Sequence, residues 1–251
     1  MNGLSAGALT VELGGTPVLT GVSLEVPDRE FVTVVGPNGA GKTTLLACLA
    51  GEIAPNSGSV TLGGSDPAAL TVADRARARA YLVQSDRRDV PYDVRTVVGF
   101  GTHLSELDGP ERRSLVERSL DDMQIGHLAN RTVVSLSGGE RRRVAIARIL
   151  AQDNGVLILD EPTDSLDLAH AALVMSVASR RAKAGDAVVT SSHDLNLAAK
   201  HADRIVVLRH GEIVAEGDAR DVFTENLLSE VYECRVSVMS HPRDGRPVIF
   251  L

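Results

Sequence analysis

The stretch Gly36-Pro37-Asn38-Gly39-Ala40-Gly41-Lys42-Thr43-Thr44 constrains this chain more than any other segment. Its glycines permit a tight turn in which successive backbone N–H groups point at one anion with no side chain between them. Lys42 adds a compact positive charge suited to β- and γ-phosphates, and the Thr43 hydroxyl is placed to bind Mg2+. The apolar run 31–35 before the loop reads as a buried strand, and residues 44–50 after it read as a helix. Strand, loop and helix together set a phosphate group at the positive end of a helix dipole. The segment therefore points to a nucleotide-phosphate site.

The rest of the chain must supply a fold that can carry such a site. At 251 residues and 43% apolar content it can bury a core as one large domain, or as one domain with a smaller subdomain. No apolar run approaches the roughly 18 residues of a membrane helix, and no basic-then-apolar leader opens the chain. A cytosolic location is expected, with any membrane reached through partners. Cys48 and Cys234 lie far apart, fit a reducing compartment and form no metal-ligand spacing. The net charge of −7 and an aromatic content of 3% argue against nucleic acid as a partner. Lysine occurs only at 42, 183 and 200, which sets Lys42 apart from an arginine-dominated background.

Taken in order, residues 8–13 and 18–26 read as strands around a Gly14-Gly15 turn, a small antiparallel sheet leading into the core. A further strand at 59–62 lies between turns at 55–58 and 63–64, and residues 71–80 form a short helix with Thr71 as its cap. Strand 80–83 ends at Gln84. Residues 85–91 are polar, and helical patterns dominate from 94 to 151, with breaks near Gly109-Pro110 and Gly126. From 155 onward strand and helix signals alternate, which indicates a parallel sheet covered by helices. Hairpins are expected at 204–215, around His210-Gly211, and at 236–250, around Asp244-Gly245.

Two later segments add chemistry. Leu136-Ser137-Gly138-Gly139-Glu140 precedes a strong helix over 141–152, with Ser137 placed to cap it and two glycines baring its first amides, a second anion site. The run 155–159 ends in Asp160 and Glu161, which sets both carboxylates at the carboxyl end of a core strand, where open α/β sheets bind ligands. Asp160 suits Mg2+, and Glu161, pointing the other way, suits a general base that polarises water. The Arg141-Arg142-Arg143 run is expected to be a solvated helix face, and His103, His127 and His210 to be surface residues.

With these residues the chain resembles the ATP-binding subunit of an ATP-binding cassette (ABC) transporter over nearly its whole length. Residues 36–44 resemble the family's Walker A loop, Gln84 its Q-loop, 136–140 its signature motif, 156–161 its Walker B strand and catalytic glutamate, Ser165-Leu166-Asp167 its D-loop and His193 its switch histidine. The implied fold is α/β, a P-loop NTPase (RecA-like) core with an antiparallel β subdomain and an inserted helical subdomain. Its implied limits are 1–84 and 155–225 for the core with the β subdomain, 85–154 for the helical part and 226–251 for a C-terminal hairpin extension.

The resemblance also implies roles. Glu161, His193, Lys42 and Gln84 would act in ATP hydrolysis, and Thr43, Gln84 and Asp160 would hold Mg2+. Gly36, Pro37, Asn38, Gly39, Ala40, Gly41, Lys42, Thr43 and Thr44 would bind the phosphates. Leu13 and Val18 would meet the nucleotide on the same chain, while Ser137, Gly138, Gly139, Glu140 and Asp167 would act across a head-to-tail pair of cassettes. Leu13 departs from the family's adenine-stacking aromatic residue. The implied partners are a second ABC subunit, here a second copy of the chain, transmembrane permease subunits and a substrate-binding protein, at the cytoplasmic face of the membrane. Residues 193–199, 90–98 and 241–247 resemble the branch that imports haem, ferric siderophores and cobalamin, with the permease docking near 85–93. An exporter subunit and a non-transport cassette stay open as alternatives.

Overall fold

A parallel sheet buried on both faces needs strands that are apolar at every position, and Phe31–Val35 (β3) is such a strand, with all five residues buried. The computed structural model describes residues 3–84 and 90–250. The expected permease-docking residues 85–89, Arg87 and Arg88 included, lie outside them.

Leu4–Leu13 (β1) and Thr16–Val26 (β2) form an antiparallel pair before β3. After the phosphate loop come Lys42–Leu49 (α1), Ser57–Leu62 (β4), Val72–Ala78 (α2) and Ala80–Leu82 (β5). Helices Val94–Gly99 (α3), Gly109–Asp122 (α4) and Gly138–Leu150 (α5) follow. Val156–Leu159 (β6), Leu168–Ala184 (α6), Ala187–Ser191 (β7), Leu195–His201 (α7) and Arg204–Arg209 (β8) then alternate. Glu212–Gly217 (β9), Ala219–Val222 (α8), Glu225–Tyr232 (α9), Ser237–Ser240 (β10) and Pro247–Phe250 (β11) complete the order.

The main sheet runs β5-β6-β7-β3-β8-β9, with its first five strands parallel and β9 antiparallel to β8. A second sheet, β2-β1-β4, is antiparallel, and β10 pairs with β11. Alternation along β6 divides the interior. Leu157 and Leu159 face α3 to α6, while Val156 and Ile158 face α1 and the antiparallel sheet. A third cluster joins Val35, Ile205 and Val207 to α7, α8, α9 and Val236. Each fully buried Val, Leu or Phe contributes roughly 1.5–3 kcal/mol, so three such clusters fix where the strand ends lie.

The expected α/β architecture and both hairpins are present, with local differences. β1 begins at Leu4 rather than Ala8, because a bulge with Ala8 at φ 49° shifts the buried phase from Leu4 and Ala6 to Leu9 and Val11. α1 begins at Lys42, two residues early, since Gly41 at φ 104° turns the chain straight into the helix. α5 begins at Gly138, directly after its Ser137 cap.

The β8–β9 turn reaches back to the phosphate loop. Gly211 N donates to Ala40 O at 3.1 Å, and Thr20 N of β2 donates to Gly211 O at 2.9 Å. Gly211 has φ 80°, and a Cβ there would stand 2.4 Å from Val18 O. Gly211→Ala is therefore expected to destabilise the protein by roughly 1–3 kcal/mol, read as a lower urea midpoint; an unchanged midpoint would mean that this junction yields freely. The two thiols divide sharply as well. Cys48 is buried in α1, with burial pushing its pKa up to about 11, and Cys234 is exposed. A disulfide reagent at mildly alkaline pH is expected to titrate Cys234 in the native protein and Cys48 only after denaturation.

Candidate functional site

The sheet register gathers four loop starts at one edge. Leu82 of β5 pairs with Leu159 of β6, Leu159 with Thr190 of β7, and Thr190 with Thr33 of β3. One to three residues further along lie Gln84, Asp160 with Glu161, Ser191 to His193, and the start of the phosphate loop. These are the carboxyl ends of parallel strands, β3 and the three strands on one side of it, an edge at which open α/β sheets bind ligands.

The loop itself demands glycine. At Gly36, with φ 150°, a Cβ would stand 2.0 Å from Leu208 O, and at Gly41 it would press on Leu19 Cδ2 and Val18 O. Gly39, at φ 80°, has open space around it. Gly41 makes no side-chain cap, so nothing from its own side chain covers the first amides of α1. Lys42 is buried, and its Nζ donates to Gly36 O at 2.8 Å and Pro37 O at 3.0 Å, two of an ammonium's three donors. Burial lowers its pKa, and the carboxylates of Glu161 and Asp160 oppose that shift.

Asp160 is wholly buried. Its Oδ1 accepts from Ser191 Oγ at 2.6 Å, while Oδ2 has no hydrogen-bond partner among the described residues. Burial raises its pKa, and the hydroxyls of Ser191 and Thr43 pull it down. Glu161 occupies the left-handed region at φ 46°, which turns its side chain away from the Asp160 direction. Ser191 Oγ accepts the Glu161 N–H at 2.8 Å, so this one hydroxyl serves both acids. Gln84 Nε2 donates to Glu161 Oε2 at 2.6 Å, and His193 Nε2 lies against Glu161 Oε1. Both oxygens of the carboxylate are thereby fixed by groups from different strand ends.

The remaining expected residues lie at the surface around this centre. Leu13 is exposed beside the Gly14-Gly15 turn and Val18 is half-buried, its carbonyl against Gly41 and Gly211. Pro37, Asn38, Ala40 and Thr44 complete the loop, and Ala40 and Thr44 are buried. Ser137 and Glu140 form a reciprocal capping box at α5, with Ser137 and Gly138 facing solvent. A Cβ on Gly139 would stand 3.3 Å from Ser165 O, which brings the signature glycine against the loop that leads to Asp167. Asp167 caps α6 through His170 N and holds His170 Nδ1 at 2.8 Å, and these hydrogen bonds lower its pKa.

One expectation is overturned. Arg142 and Arg143 are buried, not part of a solvated face. Arg143 Nη1 donates to Met123 O and Gln124 O, and Arg142 reaches the backbone at 83–84 and 160–162. The helical phase of α5 turns both inward, where backbone carbonyls replace water as acceptors. Charge patterning alone cannot show this, though the apolar phase of Val144, Ala147 and Leu150 carries part of the signal. Ser191 was also missed, since a serine at the end of an apolar strand looks like any strand terminus. His103, His127 and His210 are exposed, as expected.

Comparison with known proteins agrees with this geometry. The profile of the ABC transporter family matches residues 19–164. The hemin import ATP-binding protein of Streptomyces coelicolor is 45% identical over 245 residues, covering 96% of this chain and 87% of that protein. The corresponding protein of Thermobifida fusca is 42% identical, covering 98% of this chain and 87% of its own. Among solved structures, a dimeric ATP-binding cassette in a post-hydrolysis state bound to ADP and Pi superposes with a TM-score of 0.75 at 26% identity, covering 86% of this chain and 98% of that one. Phosphate loop, paired acids and full-length similarity converge on one conclusion: the chain belongs to the ABC transporter family, as an ATP-binding, ATP-hydrolysing subunit.

Proposed function

We propose that the chain powers haem import, hydrolysing ATP between two copies of itself beneath a membrane permease that is served by a haem-binding protein. The observation that carries the hydrolytic part is the Glu161 carboxylate, held on both oxygens beside the phosphate loop. The cargo rests on similarity to proteins named for hemin import over nearly the whole chain. No helix among the described residues is long and apolar enough to cross a membrane, so the path for cargo belongs to partners. The working site is at the cytoplasmic face.

Three units divide the work on this reading: the core with its antiparallel sheet (1–84 and 155–225), the helical part (85–154) and the C-terminal hairpin (226–251). The backbone amides of 36–44 and Lys42 bind the phosphates, and Leu13 offers an apolar surface to the base with Val18 beside it. Ser137, Gly138, Gly139 and Glu140, at the exposed start of α5, meet the phosphates bound by the partner copy, with Asp167 at the same interface. Two such sites close when the copies meet head to tail.

The buried Oδ2 of Asp160, without a hydrogen-bond partner among the described residues, fits a cation, and Thr43 stands beside that carboxylate. Thr43, Asp160 and Gln84 would hold Mg2+, Gln84 through its amide oxygen, since its nitrogen lies on Glu161. Bound there, Mg2+ would neutralise charge on the β- and γ-phosphates. Glu161 accepts a proton from the attacking water at the carboxylate oxygen that His193 gives up, and His193 turns to the γ-phosphate. Lys42 stabilises the charge that develops on the phosphoryl oxygens. ATP and water become ADP and phosphate, and the two copies separate.

Glu161→Gln keeps the shape but removes the base. It is expected to bind ATP normally, to lower turnover at least about 100-fold and to run as a stable dimer with ATP on size exclusion; ordinary turnover would remove Glu161 from this role. The cargo is tested by reconstituting the chain with its membrane partners and adding binding proteins loaded with haem, ferric siderophore or cobalamin. Haem-loaded protein alone is expected to stimulate hydrolysis, and stimulation by another loaded protein would reassign the cargo.

A further inference from the structure

We infer that Arg142 is a positioning residue for hydrolysis, which joins the first turns of α5 to the proposed base Glu161 and to the Gln84 side chain hydrogen-bonded to it. The inference rests on the hydrolytic reading of Glu161. A guanidinium has five N–H donors in one rigid plane. Among the described residues, bonds from Arg142 run to five backbone carbonyls from two separate segments. Nη1 donates to Val83 O and Gln84 O, each at 3.2 Å. Nη2 donates to Asp160 O at 2.9 Å and Glu161 O at 2.7 Å, and Nε donates to Pro162 O at 3.4 Å.

These bonds close a ring. Arg142 holds the backbone carbonyl of Gln84, the Gln84 amide holds the Glu161 carboxylate, and the Glu161 carbonyl returns to Arg142. Glu161 also needs such support, because its left-handed backbone at φ 46° is disfavoured for a side chain with a Cβ. Its N–H is fixed by Ser191 and its C=O by Arg142, so the strained peptide is gripped on both sides. The same arginine lies five residues beyond the Ser137 cap at the exposed start of α5. Any shift of α5, when an anion settles on that start, is carried through one rigid group to the base and to its glutamine partner together.

Lysine keeps the charge but has three donors on a single atom, and cannot fork between two segments. We would measure kcat, KM, equilibrium ATP binding and thermal midpoint for Arg142→Lys, for Gln84→Ala and for the double variant. Misplacing a catalytic group by about 1 Å can cost about 100-fold in rate. Arg142→Lys is therefore expected to lower kcat by at least about tenfold with ATP affinity within about twofold of the native protein. The double variant is expected to lose less than the product of the single losses, because both changes break one ring. A kcat within about fivefold of native, independent losses in the double variant, or a parallel fall of kcat, ATP affinity and thermal midpoint would overturn the assignment. Glu161→Gln is run beside them: if that variant turns over normally, the hydrolytic reading fails, whatever Arg142→Lys does.

Discussion

Parallel pairing of β6 with β7, and of β7 with β3, is the constraint on which the site depends. It brings the residues just past Leu159, Thr190 and Val35 to one edge without any of them having to find the others independently. Asp160 therefore meets Ser191 at 2.6 Å, and the phosphate loop starts alongside. The strands are held by burial on both faces, with β3, β6 and β7 fully enclosed. Packing far from the chemistry thus sets distances at the chemistry to within the tolerance that proton transfer requires.

This edge carries groups that a stability argument alone would not place there. Lys42, Asp160 and Glu161 are buried, Asp160 has an oxygen with no partner among the described residues, and Glu161 has a disfavoured backbone. Each costs free energy in isolation. Lys42 opposite two carboxylates offsets part of that cost, and the Ser191 hydroxyl offsets more by serving Asp160 and Glu161 at once. What is left over matches the needs of a phosphate-bearing ligand with its cation. On the proposed reading, the charges of nucleotide, Mg2+ and protein would offset one another.

The sequence was legible where local geometry depends on contiguous residues. The glycines of the phosphate loop, the Ser137 to Glu140 box and the acids after β6 each act through local backbone geometry, so their spacing carries the signal. Legibility fell where a residue acts across the fold. Arg142 looks like part of a basic surface run, yet its acceptors come from 83–84 and 160–162, and only the packing of α5 against β5 and β6 brings them within reach. Gly211 looks like an ordinary hairpin glycine. Its need for the left-handed region is legible, but the approach of Val18 O to 2.4 Å from where a Cβ would be is not. Ser191 falls in the same class.

The C-terminal hairpin shows how a segment remote from the phosphate loop is tied to it. Asn196 of α7 uses its side-chain amide as a peptide would, accepting from Ile249 N at 2.8 Å and donating to Ile249 O at 3.1 Å. Arg246 Nη1 adds a bond to Lys200 O at the other end of that helix. α7 begins at the Asp194 cap, directly after His193, so a helix anchored by the hairpin carries the histidine that contacts Glu161. A seven-residue helix is too short to be stable by itself. Its place is set by Ala198 and Ala199 in the third core cluster and by this pairing with β11, and the orientation of His193 follows from both.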